Sequence, residues 1–143
     1  MNALVRPEPR SGLYEDAFWE YVQRHELRLQ RCPACGAHRY PPSAVCPRCL
    51  GREFEWDALS GDGRVLSWVV FHRQYFPELP IPYTVVAVEM AEGPILLADL
   101  VNAGDRAPRV DMPVRICFET ALNAAGEKWE IYQFEPPPED GDG

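Results

Sequence analysis

No stretch of this 143-residue chain approaches the roughly 20 consecutive apolar residues that a membrane-spanning helix needs. Residues 1–12 also lack the apolar centre of a secretory signal, so a cytoplasmic location is expected. Positive charge is short as well. The formal net charge is −8, and past Arg64 the only lysine is Lys128, so the field that would draw in nucleic acid or an anionic bilayer is missing. A Ser/His/Asp set and a glycine-rich phosphate loop are likewise not apparent, which argues against a self-sufficient enzyme.

Cysteine is scarce but concentrated. Of the five, four fall in two Cys-x-x-Cys knuckles, Cys32-Pro-Ala-Cys35 and Cys46-Pro-Arg-Cys49, and Cys117 stands alone. Each knuckle lets two thiolates converge on one ion while turn N–H groups point at the sulfurs, so the pair predicts a closed tetrahedral site. Zinc suits four soft thiolates, and an iron centre of rubredoxin type would use the same ligands. Such a site leaves no open coordination position, so its metal is structural. A thioredoxin-like dithiol needs only one motif within a βαβ pattern, and no such pattern surrounds these. His38 reads as a loop histidine, because four thiolates already satisfy the ion. Cys117 reads as strand packing, since nothing beside it in sequence suggests a partnered base.

The rest of the chain reads as mainly β. Residues 1–12 form an arm without periodicity, expected to be flexible, with Ser11 able to cap a helix after it. Tyr14, Ala17, Phe18, Tyr21 and Val22 make one apolar stripe on a helix within residues 13–26. Trp19 falls off that stripe. The surplus aromatics Phe18, Trp19 and Tyr21 suit either the chain's own core or a partner interface. Leu27 and Leu29 alternate with polar residues in a strand that leads into the knuckles, and residues 27–59 are assigned to the metal-binding ribbon. Five strand-like stretches occupy residues 60–134, at 64–71, 83–90, 94–101, 113–119 and 129–134, without an intervening helical pattern. A small antiparallel barrel is expected. Strand count alone does not separate an OB-fold from an SH3-like barrel or a meander. Residues 135–143, all proline, acid and glycine, are expected to form a disordered acidic tail.

Arginine is unevenly placed. Residues 24–52 hold six arginines against Glu26 alone, locally +5, which falls to about +3 beside a four-thiolate zinc site of net −2. These arginines either balance the thiolates or receive an anion, such as the phosphates of a nucleotide cofactor or an acidic face of a partner, with Arg31, Arg48 and, further on, Arg73 the candidate contacts. The loop after Arg73, rich in aromatics and proline, suits a pantetheine or acyl group.

The order of features resembles a known family. Phe18-Trp19-Glu20 in an aromatic helix, the paired knuckles with Pro41-Pro42 between them, the Gly61-x-Gly63 turn and Pro82-Tyr83 ahead of the second barrel strand are similar to the zinc-ribbon and OB-fold acyl-CoA-associated family, domain of unknown function 35. The likeness covers residues 18–134, with Leu50-Gly51 and the acidic tail departing from the pattern. It implies an N-terminal helix, a rubredoxin-like zinc ribbon and a five-stranded OB-fold barrel. It also implies a non-catalytic accessory subunit in a hetero-oligomer with a thiolase-superfamily enzyme (a thiolase, acyltransferase or aldolase acting on an acyl-CoA), in which the reactive residues belong to the partner and CoA thioester is bound with it. Two other functions stay open: an autonomous acyl-CoA-binding carrier, and a nucleic-acid binder that the charge disfavours. An independent enzyme would have to use Cys117.

Overall fold

The computed structural model describes residues 4–138. Their elements run in the order α1 (Glu15–Gln23), β1 (Arg28–Arg31), β2 (His38–Arg39), β3 (Glu55–Ala58), β4 (Asp62–Phe71), β5 (Tyr83–Met90), β6 (Ile95–Asp99), β7 (Pro113–Leu122) and β8 (Lys128–Glu135).

Helix α1 begins where Glu15 and Asp16 bring negative charge to the unpaired N–H groups of the first turn. Ser11 does not cap it. The Ser11 hydroxyl instead donates to the Asp16 carboxylate at 2.9 Å, and the Gly12 N–H does so at 3.2 Å. The helix stops early, at Gln23, because His25 enters the left-handed region (φ 60°) and turns the chain back. The N–H groups of His25 and Glu26 close on the carbonyls of Val22 and Tyr21 at 2.9 and 3.0 Å, the paired bonds of a Schellman stop. The His25 ring stacks flat on Phe118 with centroids 4.7 Å apart and meets Glu130 at 2.9 Å, contacts that hold a non-glycine residue in this conformation.

Strand β1 is the centre of a three-stranded antiparallel sheet in the order β2-β1-β3, with Gln30 opposite both Arg39 and Trp56. The remaining five strands form an antiparallel sheet in the order β6-β5-β4-β7-β8. A bulge between Val65 and Ser67 bends β4, and Gly63 lies so close to β5 that a Cβ there would meet Val88 Cγ1 at 2.5 Å and the Glu89 carbonyl oxygen at 2.8 Å. That close approach accounts for the second glycine of the Gly61-x-Gly63 turn. The expected closed barrel is an open sheet here. Its edge strands meet at one parallel bridge, Leu100 to Phe134, where the Val101 N–H donates to the Phe134 carbonyl at 2.9 Å. Beyond that bridge no ladder joins β6 to β8 among the described residues, so the barrel stays open between its two edge strands.

One apolar core runs through both sheets. Phe18 and Val22 of α1 and Leu27, Leu29 and Leu59 of the ribbon side pack with Val65, Val86, Val88, Met90, Leu96, Met112, Val114 and Phe134. Residues 4–6 differ from the expected loose arm. Val5 pairs with Leu122 in a parallel bridge, and Arg6 reaches Asp99 at 2.9 Å. At the other end Glu135 belongs to β8, Pro136 is buried and Arg106 donates to the Pro137 carbonyl at 2.7 Å, so the chain is tied down further than the expected tail boundary. The rest of the tail, residues 139–143, and residues 1–3 of the arm lie outside the described residues.

Candidate metal centre and docking surfaces

Two matching turns build the metal site. In the first, the Gly36 N–H returns to the Cys32 carbonyl and the Cys32 N–H to Ala37, both at 2.8 Å. In the second, the Leu50 N–H returns to Cys46 at 3.0 Å and the Cys46 N–H to Gly51 at 2.8 Å. The two turns bring all four Sγ atoms within 4.8 Å of one another, with Cys32–Cys49 at 3.5 Å and Cys35–Cys46 at 3.4 Å. Thiolates at about 2.3 Å from a tetrahedral zinc stand roughly 3.8 Å apart, so the donor set fits the ion.

The electrostatics agree with a cation at the centre. Backbone N–H groups, that of Cys49 foremost, pull Cys46 down to about 6, and the Cys35 N–H lowers Cys32. Cys35 feels the Ala37 N–H most strongly, yet Cys46, burial and the other two sulfurs together push it up to about 11. Four adjacent thiolates need a metal to carry their charge.

Arg39 props the site from inside. The strand pattern sets it among the surface arginines, but it is 1% exposed. Its Nη2 donates to the carbonyls of Gly51 (3.0 Å) and Glu53 (2.9 Å), its guanidinium lies over the Phe54 ring, and Gln30, equally buried, accepts from the Ser43 N–H at 2.8 Å. Residues 43–53 thus hang on two buried polar side chains, which the sequence does not mark, since Gln30 is out of phase with Leu29 in the alternating strand and Arg39 lies opposite Gln30 on the next strand. His38 pairs with Asp57 at 2.9 Å and stands outside the sulfur cluster.

The expected partner residues separate. Phe18 is 3% exposed and edge-on to Tyr40 and Tyr132, so it belongs to the core and has no surface to offer a partner. Trp19 is half-buried against Trp129 and Tyr132, and Tyr21 packs on Trp56 beneath the guanidinium groups of Arg24 and Arg28. The aromatic helix has therefore largely spent its surplus on its own chain. Arg31 and Arg48 are exposed beside the knuckles, whereas Arg73 comes after β4 and lies over Tyr75. Burial, then the charges of Glu135 and Glu119, push the Cys117 thiol up to about 11, leaving it protonated and a poor nucleophile at neutral pH.

Sequence patterning did not point to the exposed apolar surface of the β4–β5 hairpin. Trp68, Val69, Val70, Tyr75, Phe76 and Ile81 all face solvent. The apolar run from Val65 to Val70, interrupted only at Ser67, was the available signal: a strand without alternation has two apolar faces.

Residues 19–55 match the family model described as the rubredoxin-like zinc ribbon domain of ChsH2, and residues 56–119 match that of the ChsH2 C-terminal OB-fold domain. The chain belongs to the ChsH2 (DUF35) family. Within that family it is 37% identical over 113 residues to a probable enoyl-CoA hydratase alpha subunit of Thermomonospora curvata, which covers 77% of this chain. The chain spans 34% of that relative's length. It is 29% identical to a DUF35 domain-containing scaffold protein of Methanocaldococcus jannaschii, over 82% of this chain and 87% of that one. Among solved structures, a chain of the Ltp2-ChsH2(DUF35) aldolase superposes with a TM-score of 0.79 at 28% identity, covering 92% of this chain and 100% of that one. The zinc ribbon, the OB-fold and the family expected from the sequence are thereby established. No helix among the described residues is long and apolar enough to cross a membrane.

Proposed function

We propose that this chain is a non-catalytic subunit that docks on a thiolase-superfamily enzyme acting on an acyl-CoA, and supports that enzyme's fold, activity or CoA site. The likeness to the whole DUF35 chain of an Ltp2-ChsH2 aldolase carries the reading, because that relative's description pairs a chain of this kind with a second protein in one enzyme. The alpha-subunit and scaffold descriptions of the other relatives support it. So does the chemistry: the four sulfurs form a closed set, and the fifth thiol is held protonated.

The direct experiment expresses the tagged full chain in its own host and identifies what it retains. Recovery of a thiolase-like enzyme, together with acyl-CoA turnover by the pair and none by this chain alone, is the expected result. Turnover of an acyl thioester by the isolated chain would overturn the proposal. Calorimetry with CoA and acyl-CoA on the isolated chain separates a subunit from an autonomous carrier, which alone would bind tightly without a partner.

A further inference from the structure

The β4–β5 hairpin extends past the core and is apolar on both faces. The register puts Val69 opposite Val85 on one face; on the other, Trp68 stands opposite Val86, where the core ends, and Val70 stands beyond it opposite the half-buried Thr84. Beyond the hairpin's strands, Tyr75, Phe76 and Ile81 continue the surface, and the six large side chains are each between 38% and 60% exposed. At roughly 150 to 250 Å² per side chain, their exposed parts sum to roughly 500 Å². That is on the order of the largest apolar patch of a whole monomer, and more than half of the ~800 Å² that one partner gives to a standard interface. Within residues 66–83 the formal charges are Arg73 and Glu78, which cancel, in a chain of net −8. The other edge of β4 is also free: its ladder with β7 covers Asp62 to Arg64, and the loop before β7 bonds Val65 but nothing further along β4 among the described residues.

A second copy of this chain, related by a two-fold axis, would lay one face against its equivalent and leave the opposite face wet. Covering two faces and an edge together takes a concave partner. Resting on the subunit role proposed above, we propose that residues 66–83 insert into an apolar cleft of the partner enzyme. Val69, Val70 and Phe76 are the buried contacts, and the free edge of β4 is available to a strand of the partner. A neutral ribbon enters such a cleft without desolvating an unpaired charge.

The test co-expresses the full chain with the thiolase-superfamily enzyme of its own host and measures the affinity of the purified pair. Wild type is compared with Val69→Lys/Phe76→Glu and with Leu13→Lys, a control at an exposed residue outside the hairpin. The expected result is at least a 100-fold weaker complex for the hairpin variant and an unchanged one for the control, with zinc content and thermal melting of the free chain unaltered. Equal binding by wild type and hairpin variant would overturn the insertion while leaving the subunit role intact. Failure of wild type to bind would overturn both. A wild-type dimer in sedimentation that the hairpin variant abolishes would make a second copy the occupant and also overturn it. Should the variant lose zinc or its melting transition, hydrogen exchange on the wild-type pair decides: protection of residues 66–83 on complex formation is expected, and its absence overturns the insertion.

Discussion

Leu50 occupies in the second knuckle the backbone position that Gly36 occupies in the first. Each lies four residues after the leading cysteine, each donates its N–H back to that cysteine's carbonyl, and each is left-handed, at φ 65° and φ 79°. Glycine adopts this conformation freely, whereas a leucine Cβ there crowds the following carbonyl at a cost of about 1–2 kcal/mol. The Leu50 side chain is 72% exposed, so little packing within this chain offsets that cost. Leu50→Gly is expected to stabilise the zinc-bound protein by about 0.5–1 kcal/mol, after the extra chain entropy of glycine is subtracted. A thermal melt should rise by about 2–4 °C. An unchanged or lower midpoint would show that the Leu50 side chain makes a stabilising contact after all.

Tyr40 ties the ribbon to the larger sheet. Its hydroxyl donates to the Leu97 carbonyl at 3.3 Å, which leaves Tyr132 as the donor in the 2.6 Å contact between the two hydroxyls. Burial and the neighbouring Tyr40 raise the Tyr132 phenol well above its usual range, so it stays a donor at any ordinary pH. Tyr40→Phe strands the Tyr132 hydroxyl and should cost about 1–3 kcal/mol in urea unfolding. The double variant with Tyr132→Phe should cost less than the two single changes added together, because both partners of one buried bond are then gone. Simple additivity would mean that the hydroxyls do not act as a pair.

How much of the fold was legible depends on which residues carry local signals. Two knuckles announce themselves by spacing, and Leu27 and Leu29 announce their strand by alternation, because both patterns are written within a few residues. Arg39 did not, since arginine is ordinarily a surface residue and its burial depends on carbonyls of Gly51 and Glu53, a dozen or more residues away. Phe18 and Trp19 share the same limit. Their partners Tyr132 and Trp129 lie more than a hundred residues on, so the sequence could not tell core from interface. Strand order and the open seam between β6 and β8 are likewise long-range.

Glu130 predicts an acid-sensitive contact between the end of α1 and β8. A hydrogen bond from Thr120, and then His25, hold its carboxyl below the ordinary value. A depressed carboxylate gives stability that is fully present above the unfolded value of about 4.3 and is lost as pH falls through the lower native value. The gap in unfolding free energy between wild type and Glu130→Gln should therefore shrink as the pH falls below about pH 4. A gap that does not change with pH would remove the charge from the explanation.

Removing the metal should unfold more than the ribbon. A ribbon that held only itself would melt separately from the five-stranded sheet, but Leu27, Leu29 and Leu59 share one core with Val65, Val86, Val88 and Phe134. Structural zinc contributes on the order of 10–16 kcal/mol of apparent binding free energy, against about 5–15 kcal/mol for the net stability of a whole domain. Its loss is therefore large enough to pull the shared core apart. Elemental analysis should give one zinc per chain, and Cys46→Ser or a strong chelator should abolish the near-ultraviolet circular dichroism of the buried aromatics together with the ribbon's own order. The zinc-bound protein should melt in one transition by every probe. A metal-free chain that keeps native dichroism and a cooperative melt would show that the larger sheet stands without the ribbon, and that the sulfurs stiffen a local surface alone.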